Sequence, residues 1–528
     1  MLKINNLNFT YSEEKKSNIL NNINLHIKKG EVILLCGESG SGKTTITRLI
    51  NGLIPNFYSG KVDGNITLID ENIFEIPIYK IAEKIGSVFQ NPKTQFFNVD
   101  TTSELAFGCE NLGLPIKEIE KRINEIVYDF QIEHLLNKSI FKLSGGEKQK
   151  IACASISACF PEILILDEPS SNLDSTATWD LREMIISWKN MGKTVIIAEH
   201  RIYFLKDIID RMIYMKDGKI QRIISNEEIK TMQDNSFSNL GIRTLSLTNL
   251  TKNKNNIFNE INNHEKEDNY NNNNNKKDIN KSDSSKKNSL HNPYFSLKDF
   301  KFSYENELAI NIDSAKIPQN EIIAIIGKNG AGKSTFARCL CGLERKCKGK
   351  LKVNGKNLNS RNRLKISYMV MQDVNYQLFT ESVLDEIYLS LDDFISKNEI
   401  TCNEKKEIAE DILKNLDLLE FKDAHPMALS GGQKQRIVIG SAIASNKEIM
   451  IFDEPTSGLD LKHMREVANN IKNLQKRGIS SFIISHDLEL IFECCNYVIH
   501  LEEGKIIDKY YIDHEGERKL KNFFIQSD

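Results

Sequence analysis

Three kinds of short apolar run occur along the chain, and each occurs twice. EVILLCG (31–37) and EIIAIIG (321–327) lead into glycine-rich loops. EILILDEP (162–169) and EIMIFDEP (448–455) end in paired acids, and TVIIAEH (194–200) and SFIISH (481–486) end in a histidine. An unbroken apolar run of strand length marks a strand buried on both faces, whereas alternation would mark one that is half exposed. KTTITRLINGL and KSTFARCLCGL, which follow the glycine-rich loops, read as helices. Such strands alternating with helices predict an α/β fold with a largely parallel, covered sheet. Residues about 100–140 and 382–426 read as mostly helical insertions.

The duplication holds at the level of single residues. Ser144 and Ser430, Asp167 and Asp453, and His200 and His486 share one offset of 286 residues. Lys43 and Lys333, and Gln90 and Gln372, match at nearby offsets. At 528 residues the chain exceeds one ordinary domain, and 40% apolar content supplies two cores. Two copies of one domain are expected, at 1–235 and 294–528, with an Asn/Lys-rich flexible linker at 236–293. Within it, residues 252–289 hold too little apolar surface to offset ordering, which predicts a disordered tether with an r.m.s. span of about 35 Å. A segment that folds on binding a partner is the other reading of that composition.

GESGSGKT and GKNGAGKS both fit G-x-x-x-x-G-K-[ST], each between a strand and a helix, which is the context that gives the motif its meaning. Gly37, Glu38, Ser39, Gly40, Ser41 and Gly42 in the first copy are therefore candidate phosphate binders. Gly327, Lys328, Asn329, Gly330, Ala331 and Gly332 are their counterparts in the second. Their backbone N–H groups can turn toward phosphate oxygens, helped by the positive end of the following helix. Lys43 and Lys333 are expected to reach the β- and γ-phosphates, with Thr45 and Thr335 at the start of the same helices. The hydroxyls of Thr44 and Ser334 are candidate ligands of Mg²⁺, joined by Asp167 and Asp453. Glu168 and Glu454 are candidate general bases for an attacking water. His200 and His486, at matching strand ends, are candidate γ-phosphate contacts. Tyr11 and Tyr304 could stack on a base, or could be packed strand tyrosines.

The remaining composition narrows the partners. The net charge of -2 gives no basic field of the kind that recruits nucleic acid. Ten cysteines form no disulfide-like framework; Cys339, Cys341 and Cys347 are the one loose cluster, readable as a metal site or as reduced core thiols. The first residues, MLKINNLNFTYSEEKK, lack the apolar core of a signal peptide, and no apolar stretch approaches bilayer-spanning length. A membrane role would be peripheral, and a reducing, cytoplasmic setting is expected.

Phosphate loop, Gln, LSGG, paired acids and His, in that order, resemble the ATP-binding-cassette ATPases over about residues 1–235 and 294–515. The resemblance implies two P-loop NTPase domains, each with a mainly parallel sheet, an antiparallel β part and a helical insertion. It also implies that LSGGEKQK (143–150) and LSGGQKQR (429–436) begin helices that close a nucleotide held by the other domain. Ser430, Gly431 and Gly432 would then complete the site of Lys43, and Ser144, Gly145 and Gly146 that of Lys333. Gln90 and Gln372 are implied to contact Mg²⁺ or the attacking water. SNLD (171–174) and SGLD (457–460) resemble the loop that communicates between sites. The copies differ at Arg201 against Asp487, Lys150 against Arg436, and Asn172 against Gly458. No principal catalytic group is missing from either, so two competent sites are expected, with equality of their rates left open.

Residues 88–111 and 370–390 look like the ATPases of energy-coupling-factor importers, which take up vitamins, vitamin precursors or transition-metal ions. That likeness implies two partners, a transmembrane coupling protein and a small substrate-binding membrane protein, and a place at the cytoplasmic face of the membrane. Phe96, Phe97, Leu378 and Phe379 could then form an apolar groove for a helix of the membrane partner, or could be core residues. Sugar-importer ATPases usually carry a degraded site, and both sites here are whole. A twin-cassette factor acting on ribosomes or DNA would need basic or metal-binding modules that the sequence lacks. No residue in the chain selects a transported substrate.

Overall fold

A computed structural model describes residues 1–11, 19–251, 294–305, 307–395 and 401–525. Among the described residues the first half contributes ten strands. They are β1 (Leu2–Thr10), β2 (Leu20–Ile27), β3 (Val32–Gly37), β4 (Lys61–Leu68), β5 (Glu71–Asn72), β6 (Ile85–Val88), β7 (Ile163–Asp167), β8 (Thr194–Ala198), β9 (Arg211–Lys216) and β10 (Lys219–Ser225). The second half repeats them as β11 (Tyr294–Tyr304), β12 (Glu307–Pro318), β13 (Ile322–Ile326), β14 (Lys348–Val353), β15 (Lys356–Leu358), β16 (Ser367–Val370), β17 (Ile449–Asp453), β18 (Ser480–Ile484), β19 (Tyr497–Glu502) and β20 (Lys505–Tyr511).

Each half carries two sheets of identical topology. The larger runs β6-β7-β8-β3-β9-β10 in the first half and β16-β17-β18-β13-β19-β20 in the second. All its neighbours pair in parallel except the last two strands, which form an antiparallel edge hairpin. The smaller sheets, β2-β1-β4-β5 and β12-β11-β14-β15, are antiparallel.

The unbroken apolar runs have the expected cause. In β3, Val32, Leu34 and Cys36 face a core shared with the helical part, while Ile33 and Leu35 face one shared with the small sheet. In β13, Ile322, Ala324 and Ile326 divide from Ile323 and Ile325 in the same way. With no solvent face, alternation has nothing to encode. The helical insertions are present as Thr101–Asn111 and Ile116–Asp129, and as Val383–Ile395 and Cys402–Asn415.

The linker expected over 236–293 does not begin at 236. Residues 236–250 are ordered, and Phe237, Ile242 and Leu245 are buried in the first half's core while Leu247 is buried in the second's. Four well-placed apolar residues are enough to dock a short segment, however polar its neighbours in the chain. The tether expected at 252–289 lies outside the described residues. Cys339, Cys341 and Cys347 are buried in the second half's core. Among the described residues no group of three or more His, Cys, Asp or Glu side chains is arranged to hold a metal ion. Among them, too, no helix is long and apolar enough to cross a membrane.

Trp188 anchors the first helical core. It is 1% exposed, meets Phe130 edge-on at 6.0 Å, and donates from Nε1 to Ser157 Oγ at 2.9 Å. Trp188→Ala should lower the unfolding free energy of that half by about 3–5 kcal/mol, read from urea denaturation.

Candidate functional site

Both phosphate loops lie at the C-terminal ends of the central strands β3 and β13, where an α/β sheet places its ligands. Gly37 has φ +143, and a Cβ there would meet Met215 O at 2.1 Å; Gly327 has φ +151, with Leu501 O at 2.3 Å. Only glycine lets the loop leave the strand so close to its neighbour. The loops deliver buried lysines. Lys43 Nζ donates to Gly37 O and Glu38 O at 2.9 and 3.0 Å, and Lys333 Nζ to Gly327 O and Lys328 O at 2.8 and 2.9 Å. Each ammonium thus lies across the bowl of its own loop. The hydroxyl of Ser41 is buried there with no protein partner, as a group awaiting a polar ligand would be.

Four of the metal candidates lie in pairs, while Gln90 and Gln372 bond elsewhere. Thr44 Oγ1 donates to Asp167 Oδ1 at 3.2 Å, and Ser334 bonds Asp453. Burial raises both aspartates above their ordinary range. Hydroxyl and carboxylate oxygens short of a cation are a donor set that suits Mg²⁺.

Glu168 and Glu454 follow their aspartates in the left-handed region, at φ 47 and 50. Non-glycine residues held there store strain, and such strain gathers at functional sites. Burial, reinforced by Glu199 and Asp167, pushes Glu168 up to about 8. Burial and Asp453 push Glu454 up to about 7, against the pull of Lys333 and Arg201. Gln90 Nε2 donates to Glu168 Oε2 at 2.6 Å, whereas Gln372 Nε2 lies 3.5 Å from Asn172 Oδ1 in the other half. His200 Nε2 stands 3.7 Å from Glu168 Oε1, and His486 Nε2 3.6 Å from Glu454 Oε1. Burial, aided by Lys43 and Lys333 respectively, holds both imidazoles neutral. Tyr11 and Tyr304 stand beside the phosphate-loop helices, within 3.4 Å of Thr45 Oγ1 and 3.5 Å of Thr335 Oγ1.

Ser144 and Ser430 cap the helices Gly145–Ala158 and Gly431–Ser445 through capping boxes with Glu147 and Gln433. Among the described residues, the inter-half bonds to the phosphate loops come from elsewhere. Ser39 N donates to Asp460 Oδ2 at 2.6 Å, and Asn329 N to Asp174 Oδ2 at 2.8 Å. The other oxygen of each carboxylate caps the next helix, accepting from His463 N and from Ala177 N. The serine loops are braced against these helices and loops. A Cβ on Gly146 would meet Ala177 Cβ at 2.6 Å, and one on Gly432 would meet Leu459 Cδ2 at 3.3 Å. Asp174 and Asp460 end the segments SNLD and SGLD, which the resemblance had marked as communicating loops without giving either aspartate a role, and they too share the 286-residue offset. Glu199, whose carboxylate accepts from Ser170 N, His200 N and Arg201 N, had no such signal, since Ser485 stands at its counterpart.

A family model described as ABC transporter matches residues 20–171 and 310–457. The chain belongs to the ABC transporter family. A Treponema denticola protein with the provisional name of an ABC transporter ATP-binding protein is 41% identical over 521 residues, spanning 99% of both chains. A similarly named protein of Methanosarcina acetivorans is 31% identical, spanning 94% of this chain and 83% of its own. A solved structure named RNase-L Inhibitor superposes with TM-score 0.62 over 98% of this chain and 93% of its own at 19% identity, a likeness of fold. This chain is therefore a transporter-type ABC ATPase: its two domains bind ATP and hydrolyse it.

Two outcomes are expected of this ABC ATPase. A base acts in its deprotonated form, so with glutamates at about 8 and about 7 in the free protein, kcat/KM for ATP should rise with pH through that range. A profile flat from pH 6 to 8 would contradict it. At Gly458 (φ +69) an added Cβ would sit 2.9 Å from Glu168 Oε2 and 3.1 Å from Gln90 Nε2. Gly458→Ala should lower ATP turnover about tenfold while ATP binding, measured by filter retention, is kept.

Proposed function

We propose that this ATPase closes two ATP molecules between its halves, head to tail, and so powers uptake of a small molecule through membrane partners of the energy-coupling-factor type. The observation that carries the first part is the reciprocal pair of bonds from Ser39 to Asp460 and from Asn329 to Asp174. Each phosphate loop is held by the loop that braces the opposite half's serine motif. ATP in the cradle of Lys43 would meet Ser430, Gly431 and Gly432, and ATP at Lys333 would meet Ser144, Gly145 and Gly146. Thr44, Asp167 and Gln90 would hold Mg²⁺ at one site, and Ser334, Asp453 and Gln372 at the other, where it neutralises phosphate charge. Lys43 and Lys333 turn from the loop carbonyls to the phosphates. Glu168 and Glu454 accept the proton of the attacking water, while neutral His200 and His486 orient the γ-phosphate.

The second part is supported by the loops that follow the glutamines. Phe97 is 76% and Phe379 77% exposed. Their presentation is built: buried Glu104 accepts from the backbone N–H groups of Phe97 and Asn98, and buried Glu386 from those of Phe379 and Thr380. Phe96 is only partly exposed and packs on the core, and Leu378 is buried in the core, so neither belongs to an apolar docking surface. Beside Gln90 a groove of about 500 Å³ is lined by Arg48, Phe57, Tyr58 and Phe89. Two rigidly held aromatics beside the ATP sites fit a helix of a membrane protein that must sense nucleotide. The transported molecule would be a vitamin, a vitamin precursor or a transition-metal ion, selected by the partner.

Glu168→Gln and Glu454→Gln should each lower ATP turnover about a hundredfold at the altered site. Full activity in either single variant would contradict coupled composite sites. Purified from detergent-solubilised membranes, the chain should carry a coupling protein and a small binding protein. Phe97→Ser together with Phe379→Ser should weaken that association about tenfold or more. Association that survives both changes would refute the docking surface.

A further inference from the structure

We propose that Arg243, in the segment that leaves the first half, is a positioning residue tying the two ATP sites together; this rests on the composite-site reading above. Its side chain is 1% exposed and fully engaged by the second half. Nε and Nη2 both donate to Leu459 O, at 3.1 and 2.9 Å. Nη1 donates to Asp487 Oδ2 at 2.5 Å and to Glu489 Oε2 at 3.3 Å. The next residue continues the contact, Thr244 N donating to Glu489 Oε1 at 2.7 Å.

The partners give this cluster its meaning. Leu459 immediately precedes Asp460, whose carboxylate holds Ser39 N in the phosphate loop of Lys43. Asp487 immediately follows His486, which faces Glu454 in the site of Lys333. Asp487 Oδ2 also accepts from Thr456 Oγ1 at 3.0 Å, so both loops meet on one carboxylate. One guanidinium therefore stands between the loop that reaches the first site and the histidine loop of the second. Its planar fork can grip a carbonyl on one edge and carboxylates on another at once, which a single ammonium cannot.

Simple anchoring of the segment does not need this arrangement. Leu245 and Leu247 already seat it in the two cores. A buried ion cluster is a poor substitute for apolar packing of similar size, because both signs must be desolvated. What it adds is fixed geometry in the two loops it joins. The arrangement is also one-sided. At the 286-residue offset, the counterparts of Asp487 and Glu489 are Arg201 and Tyr203, neither of which offers an arginine a carboxylate. Arg201 instead lines a cavity of about 10 Å³ with His486, Asp487 and Glu489. The first half thus brings two arginines to a place where the second brings two carboxylates, and the link runs through the ordered segment 236–250.

The test uses the whole chain with Arg243→Met and Arg243→Lys. Turnover is measured per ATP bound, so that misfolded material does not count, and KM is measured alongside. Arg243→Met should lower turnover per bound ATP about fivefold or more with KM changed by less than about twofold, and Arg243→Lys should recover it only in part. Combined with Asp460→Asn, Arg243→Met should add less than about twofold to the loss from Asp460→Asn alone, because both act on one loop. Unchanged turnover per bound ATP in both single variants, or losses that simply multiply in the double variant, would overturn the proposal. Should the methionine variant not fold, the lysine variant carries the same readout. An unsubstituted chain that binds fewer than two ATP refutes the composite-site reading as well; two ATP bound, with turnover indifferent to Arg243, refutes this inference alone.

Discussion

Two carboxylates each bond the phosphate loop of the opposite half. Asp174 and Asp460 each use one oxygen to cap a helix in their own half and the other to receive a phosphate-loop amide of the opposite half. A carboxylate bound to backbone N–H groups at a helix start is among the stronger neutral-donor contacts available, since it satisfies orphan donors and meets the positive end of the helix. For Asp460, burial works to raise the carboxyl, but the bonds from His463 and Ser39 overcome it and hold the group well below the ordinary range. Asp460 therefore stays charged well into the acid range. Among the described residues, these two side chains accept from the phosphate loop of the opposite half, beside the contacts that Arg243, Thr244 and Gln372 make between the halves.

The chemistry around them is governed by burial. Lysines lie folded onto their own loops, glutamates are pushed up and held in a left-handed conformation, and histidines are kept neutral. Each of these is unfavourable by itself, and each is of use once a polyanion arrives. In the proposed mechanism a phosphate chain would draw the lysines off the carbonyls, and a carboxylate of raised affinity for protons is a better acceptor from water. The strain and the desolvation are offset by two cores in each half, which grip the central sheet on both faces.

The halves share a plan but not every detail. Glu199 stands beside Glu168 where Ser485 stands in the other copy, and Arg201 reaches toward Glu454. Gln90 bonds the glutamate of its own site, while Gln372 lies against Asn172 across the interface. A single arginine then links the histidine loop of one site to the inter-half loop of the other. Two sites built from one template are in this way given different electrostatic surroundings.

Much of this was legible in the residues. Unbroken apolar runs gave the covered parallel sheets, because a strand buried on both faces has no reason to alternate. The phosphate loops, acids and histidines could be singled out by type and spacing, since their chemistry is local, whereas a role for the glutamines came only with the resemblance. The offset of 286 residues showed the duplication, and it also contained Asp174 and Asp460, whose segments the resemblance marked as communicating loops but whose bonds to the opposite phosphate loops appear only once both halves are in place. Which of Phe96, Phe97, Leu378 and Phe379 are exposed depended on how each loop is pinned by its buried glutamate. Arg243 lay in a stretch that composition assigned to a linker, and nothing local set it apart. Its role is fixed by Leu459, Asp487 and Glu489, more than two hundred residues away. Chain-local chemistry was thus determined by the sequence alone, whereas contacts between halves were decided only by the tertiary structure, because a bond between distant segments leaves no pattern in either one.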